Sequence, residues 1–170
     1  MKLRIALVTV AAVALAAAGV AAAAAVTHQS AGASGTVDLR STKLGKVLVA
    51  KSGLTLYLFK ADKSGRSVCY GQCATYWPPL LATTKPSAGT GVKATMLGTV
   101  KRKDGTKQVT YAGHPLYRFK LDKKAGQVNG EGQAFFGGKW YGVNASGKAV
   151  THAPAGGGTT STPTYTYPGY

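Results

Sequence analysis

An internal repeat constrains this chain more than any other feature. Gly53-Leu54-Thr55-Leu56-Tyr57-Leu58-Phe59-Lys60-Ala61-Asp62-Lys63 aligns with Gly113-His114-Pro115-Leu116-Tyr117-Arg118-Phe119-Lys120-Leu121-Asp122-Lys123 at an offset of 60, with Gly, Leu, Tyr, Phe, Lys, Asp and Lys coinciding in register. Upstream, Leu44-Gly45-x-Val47 recurs as Leu97-Gly98-x-Val100 at an offset of 53. Downstream, Gly71-Gln72 recurs as Gly132-Gln133, and Trp77 has a counterpart in Trp140. Two copies of so short a unit fold as partners, because a few short strands with an open face do not close a core alone. The changing offsets put insertions in loops, notably around Lys103-Asp104-Gly105-Thr106.

Within each copy the pattern is that of strands. Leu54, Leu56 and Leu58 alternate with Thr55, Tyr57 and Phe59, so this stretch is expected to bury both faces or to pair two apolar sides. Thr99 to Tyr111 reads as a hairpin folded at Asp104-Gly105, and Lys139 to Asn144 as a further strand. The 23 glycines suit tight turns and disfavour long helices. One helical turn from Cys73 to Trp77 fits before Pro78-Pro79 stops it. The expected fold is all-β: a single small domain, residues 44–150, of two fused antiparallel repeat units with little helix.

These residues resemble a secreted repeat family of predicted bacterial lipoproteins marked by a Tyr-x-aromatic-x-x-Asp motif. Tyr57, Phe59 and Asp62 fit it once, and Tyr117, Phe119 and Asp122 fit it again. Cys69-Tyr70-Gly71-Gln72-Cys73-Ala74 leading to Trp77-Pro78-Pro79-Leu80 is also like that family. The resemblance implies a secreted or envelope setting, commonly in high-GC Gram-positive bacteria, and it brings no agreed biochemical activity. The chain departs from the lipoprotein members in having no cysteine before Cys69 to accept a lipid.

The flanks read differently from the repeats. Met1-Lys2-Leu3-Arg4 is a positive start, Ile5 to Val26 carries no charge, and small residues follow. That is the pattern of a secretory signal peptide over 1–33, or of an N-terminal membrane anchor if it is not cleaved. Residues 34–43 are expected to be a linker. The Gly/Thr/Pro/Tyr-rich residues 151–170 are expected to be a disordered tail.

Charge narrows the partners. The chain has 21 Lys and Arg against 5 Asp and Glu; without Lys2 and Arg4 the balance is still +14. Such a surface concentrates anions in a salt-dependent way. For an exported protein the partners expected are anionic cell-wall polymer or a lipid surface, with no specific nucleic acid. Lys101, Arg102 and Lys103 adjoin the predicted hairpin tip and are the candidate contacts, although alternation sends Arg102 to the opposite face.

Catalytic signatures are missing. Paired-carboxylate chemistry needs placed acids, and only Asp38, Asp62, Asp104, Asp122 and Glu131 exist. His114 has no recognisable nucleophile beside it, and Gly-x-Ser-x-Gly is absent. Asp62 amid Lys63 and Arg66 offers too few ligands for calcium, and no metal or cofactor is expected. In each copy the aspartate is expected to fix the turn after its strand and to accept the tyrosine hydroxyl, Tyr57 with Asp62 and Tyr117 with Asp122. The sharper alternative is a ligand site between the repeats. Cys69 and Cys73, three residues apart, lack the Cys-x-x-Cys redox spacing. A local disulfide is expected to fix the turn that aims Tyr76 and Trp77. The alternative is an extracytoplasmic redox or electron-carrier-associated protein that uses this pair.

Overall fold

The computed structural model describes residues 35–63 and 65–151. The expected export segment and residues 152–170 of the expected tail lie outside the described residues. In chain order the elements are β1 (Val37–Thr42), β2 (Gly45–Ala50), β3 (Tyr57–Phe59), α1 (Gln72–Tyr76), a 3₁₀ turn (Ala94–Met96), β4 (Leu97–Lys101), β5 (Lys107–Tyr111), β6 (His114–Pro115), β7 (Ala134–Phe135) and β8 (Gly138–Gly142). All strand pairing is antiparallel within three small sheets: β1–β2, β4–β5–β6 and β3–β8–β7. The protein is a small all-β domain with one short helix among the described residues.

Each copy opens with a hairpin, and the two hairpins occupy equivalent places. Val37 faces Ala50 in the first, and Leu97 faces Tyr111 in the second. Leu48 N–H donates to Val143 O and its carbonyl accepts from Leu56; Val109 N–H donates to Leu80 O and its carbonyl accepts from Leu116. β4 is therefore the counterpart of β1, and Leu97 matches Val37 rather than Leu44. The upstream match at an offset of 53 is a coincidence of short apolar strings. Residues 37–42 are correspondingly no linker. Val37 is fully buried, its N–H donates to Ser87 O (3.0 Å), and Gly89 N–H donates to its carbonyl (2.8 Å). The apolar Val37 and Leu39 alternate with Asp38 and Arg40, which is the period of a half-buried strand.

The turn that follows the hairpin differs in length between the copies. In the second copy β5 turns into β6 through Ala112-Gly113, at φ of 49° and 81°. Two left-handed residues in succession make the tightest hairpin connection, and alanine is an uncommon residue at the first of them. The first copy makes the corresponding turn with Lys51-Ser52-Gly53, one residue longer, closed by Gly53 N–H to Ala50 O (2.7 Å) and Ala50 N–H to Leu54 O (2.9 Å).

The two faces of β3 bury into two different clusters, as its unbroken apolar run implies. Leu56 and Leu58 enter an aliphatic cluster with Val37, Leu48, Val109 and Leu116. Tyr57 and Phe59 enter an aromatic cluster with Trp77, Tyr117, Phe119, Trp140 and the cysteines. Each buried side chain of this size contributes about 1.5–3 kcal/mol.

The two copies are interleaved. Tyr57 and Tyr117 exchange both backbone hydrogen bonds, each 2.9 Å long. β3 pairs with β8 of the second copy, and residues 117–120 run against 76–79 of the first through Arg118 N–H to Pro78 O and Lys120 N–H to Tyr76 O. Each copy thus completes the strand of the other.

Candidate functional site

Antiparallel exchange between Tyr57 and Tyr117 puts the two motifs back to back, and this decides where their side chains go. The Tyr57 hydroxyl donates to Asp122 Oδ2 (2.7 Å), and the Tyr117 hydroxyl donates to Asp62 Oδ2 (2.7 Å). The pairing expected within each copy is therefore replaced by a reciprocal pairing between copies. Five residues after its tyrosine, the aspartate has passed beyond the strand end, where the opposite strand's phenol arrives. The loop-fixing part of the expectation holds. Asp62 Oδ1 accepts from Val68 N–H (2.9 Å), and Asp122 Oδ1 accepts from Asn129 N–H (3.0 Å).

Between the two pairs lies a stack of four rings in the order Phe59, Trp140, Trp77, Phe119. Centroid spacings are 4.0, 3.9 and 4.3 Å, and the two indoles are within 5° of parallel. Tyr57 stands edge-on to Trp77 at 5.5 Å, and Tyr117 edge-on to Trp140 at 5.1 Å. Both are favoured aromatic geometries, worth about 0.5–1.5 kcal/mol per pair beyond burial. Gly130 lets this happen. A Cβ there would sit 2.8 Å from Trp77 Cη2 and 2.9 Å from Tyr57 Cζ.

The surroundings of the two tyrosines differ in charge. Beside Tyr117, Ser67 Oγ is 2.8 Å from the hydroxyl and also accepts from Arg102 Nη1 (2.7 Å). Arg102 is 4 % exposed; it donates further to Gln108 Oε1 (2.6 Å) and Cys69 O (2.8 Å), and it lies 4.4 Å over the Tyr70 ring. It is thus a buried structural cation, not the surface contact expected of it. Lys101 and Lys103 are exposed. Beside Tyr57 no comparable cation occurs among the described residues. Its hydroxyl accepts from Gly130 N–H (3.3 Å), and the nearby acid is Glu131, whose Oε2 accepts from Gly142 N–H (2.7 Å).

Burial dominates the titration of these groups. It raises the Asp122 carboxyl to about 6 against the lowering effect of the Tyr57 and Asn129 bonds, and raises Glu131 to about 7. Burial also raises Asp62, opposed by Val68 N–H, the Tyr117 hydroxyl and Arg102. Both phenols are raised by desolvation and then by their carboxylate partners. The phenols therefore stay protonated as donors at neutral pH. The carboxylate oxygens are already engaged by protein donors, which leaves them poorly placed to hold a cation, and no His/Cys/Asp/Glu cluster suited to a metal occurs among the described residues.

Cys69 and Cys73 are joined in a disulfide. It spans the start of α1, and at the other end of this short helix Trp77 N–H donates to Cys73 O (2.7 Å) before Pro78, so the bridged Cys73 is tied directly to the backbone of Trp77. Cys69 is fully buried and Cys73 is 6 % exposed. His114 is exposed, and burial of part of the ring followed by nearby Lys60 lowers its pKa. Asp38 caps a loop by accepting from Thr90 N–H (3.2 Å), and Asp104 holds its turn through Thr106 N–H (3.0 Å).

Sequence reasoning gave no structural role to Ser67, Gln108, Asn129, Gly130 or Glu131. None lies in a motif, and their contacts within the site range from six residues apart, for Gln108 with Arg102, to 73 apart, for Gly130 with Tyr57. For Arg102 one signal existed, the alternation that set it opposite Lys101 and Lys103. A family model for a secreted repeat of unknown function matches residues 39–81 and 98–144, together just over half of the chain. No curated protein and no solved structure matches the chain.

Proposed function

The chain belongs to the secreted repeat family of unknown function, and from that premise we propose that it works outside the cytoplasm as a non-catalytic module that associates with anionic cell-wall polymer or lipid surface. One observation carries this reading, the division of charge between inside and outside. Four of the five acids are buried or half-buried, and 17 of the 19 Lys and Arg among the described residues are exposed. The only ion pair among the described residues is Arg102 with Asp104, at 3.4 Å. Acids spent on internal bonds leave the exterior almost purely cationic, and such a surface attracts anionic polymers over about a Debye length.

The hairpin tip adds to this. Lys101 lies directly opposite Lys107 in register, with exposed Lys103 beside them. Like charges facing each other across strands are unfavourable, and an anion between them would relieve that. The redox alternative at Cys69 and Cys73 draws less support, since an attacking thiolate needs access to sulfur and both residues are buried.

The test is co-sedimentation of the full chain with anionic vesicles and with anionic wall polymer across a salt series. Binding is expected to fall steeply up to about 0.5 M salt, where screening is nearly complete within a few ångströms. Replacing Lys101, Lys103 and Lys107 with Gln should weaken binding in part and change stability by no more than about 0.5 kcal/mol. Salt-independent binding, or equal binding to neutral vesicles, would sink the proposal.

A further inference from the structure

We infer that the aromatic stack between the repeats is a one-electron oxidation site, with Tyr57 as the residue on which the hole comes to rest. The two indoles lie face to face at 3.9 Å, and Tyr57 lies against Trp77 at 5.5 Å. Rings this close exchange an electron without contact with solvent. Tyr76, half-buried and packed against the same cluster, links the stack to the surface.

A buried phenol can lose an electron only if its proton leaves with it, because a phenol cation would be an uncompensated charge in an apolar interior. Tyr57 meets that condition through Asp122 Oδ2 at 2.7 Å. In the step, Tyr57 passes one electron to a high-potential, metal-centred one-electron acceptor at the surface. The phenol O–H bond breaks, its proton forms a carboxyl O–H on Asp122, and the acceptor is reduced by one electron. Return of an electron from a donor sends the proton back to the phenol.

The indoles are way stations, not resting places. Trp77 Nε1 is buried with no acceptor among the described residues, and Trp140 Nε1 donates to the Phe135 carbonyl (3.3 Å), which cannot take up a proton. Neither can discard the charge of an oxidised ring. Tyr117 has the same pairing with Asp62, but the Arg102 guanidinium is one hydroxyl away through Ser67. A neighbouring cation disfavours a hole, whereas the Tyr57 hydroxyl is met by Gly130 N–H (3.3 Å), with Glu131 next in the chain. The two tyrosines are equivalent in backbone position and unequal in electrostatics.

That inequality gives the test its control. The full chain is irradiated with a ruthenium polypyridyl photo-oxidant, with persulfate as sacrificial acceptor, and the phenoxyl radical is followed by electron paramagnetic resonance. Radical formation in the wild type should slow in D2O. Tyr57→Phe should shorten the radical lifetime by about tenfold or more, while Tyr117→Phe, which removes the equivalent hydroxyl, should leave it within about twofold. Equal effects of the two substitutions would overturn the inference. So would a wild-type radical confined to exposed tyrosines and indifferent to D2O, a measurement that needs no variant to fold.

Discussion

The two Tyr–Asp pairs have the same geometry and opposite electrostatic settings. Each joins a phenol of one copy to a carboxylate of the other at 2.7 Å. The Tyr117–Asp62 pair is backed by a buried guanidinium with three hydrogen-bond acceptors around it besides Asp104. The Tyr57–Asp122 pair is met by the backbone N–H groups of Gly130 and Asn129, with Glu131 as the nearby charged group among the described residues. The comparison separates what the repeat itself requires from what each copy acquired. The motif supplies strand, phenol and carboxylate, and the surrounding loops decide whether the charge is balanced.

Removing one copy should have the largest effect. Residues 35–92 alone contain Tyr57 and Trp77 but neither Asp122 nor the β8 strand that pairs with β3. This fragment is expected to show no cooperative thermal unfolding by circular dichroism. A sharp melt would show that a copy closes its own core.

The next effect is smaller and tests the asymmetry directly. Arg102→Met keeps the length of the side chain but strands Ser67, Gln108 and the Cys69 carbonyl, and is expected to cost about 3 kcal/mol in urea unfolding. Glu131→Gln retains an acceptor for Gly142 N–H and removes a charge that burial disfavours. It is expected to cost less than about 0.5 kcal/mol or to stabilise. Equal costs would mean that the two settings are not distinct.

The smallest effect is expected from pH. Asp122 and Glu131 have folded pKa values of about 6 and about 7, above their unfolded values. The folded state therefore holds more protons in this window, and stability falls as pH rises. The contribution is complete below about 4 and is lost as pH passes through about 6 to 7. The melting temperature should be higher at pH 5 than at pH 8, and Glu131→Gln should flatten the upper part of that slope. A wild-type melting temperature that rises from pH 5 to pH 8 would contradict the burial of these acids.

Local features were legible in the sequence and relational ones were not. The β4–β5 hairpin follows from Asp104-Gly105, the two-faced strand from Leu54 to Phe59, and the helical turn from the residues before Pro78-Pro79. Each depends on neighbours in the chain. The exchange of tyrosines between copies depends on which strand meets which, and nothing in a five-residue spacing encodes that. β1 was hidden because Leu44-Gly45 imitates Leu97-Gly98, drawing the repeat's start seven residues too late. Arg102 was hidden by composition, as one inward residue in the run Lys101-Arg102-Lys103.

The interleaving of the copies also bears on dilution. A chain with a single copy could complete its strand and engage its tyrosine only by joining a second chain across a two-fold axis, with the same surface on both sides. Such a dimer would come apart as its concentration fell. Tandem fusion makes the encounter intramolecular, at an effective concentration set by the connecting segment rather than by the amount of protein present. In a member of a secreted repeat family, the fused pair stays assembled however few molecules surround it.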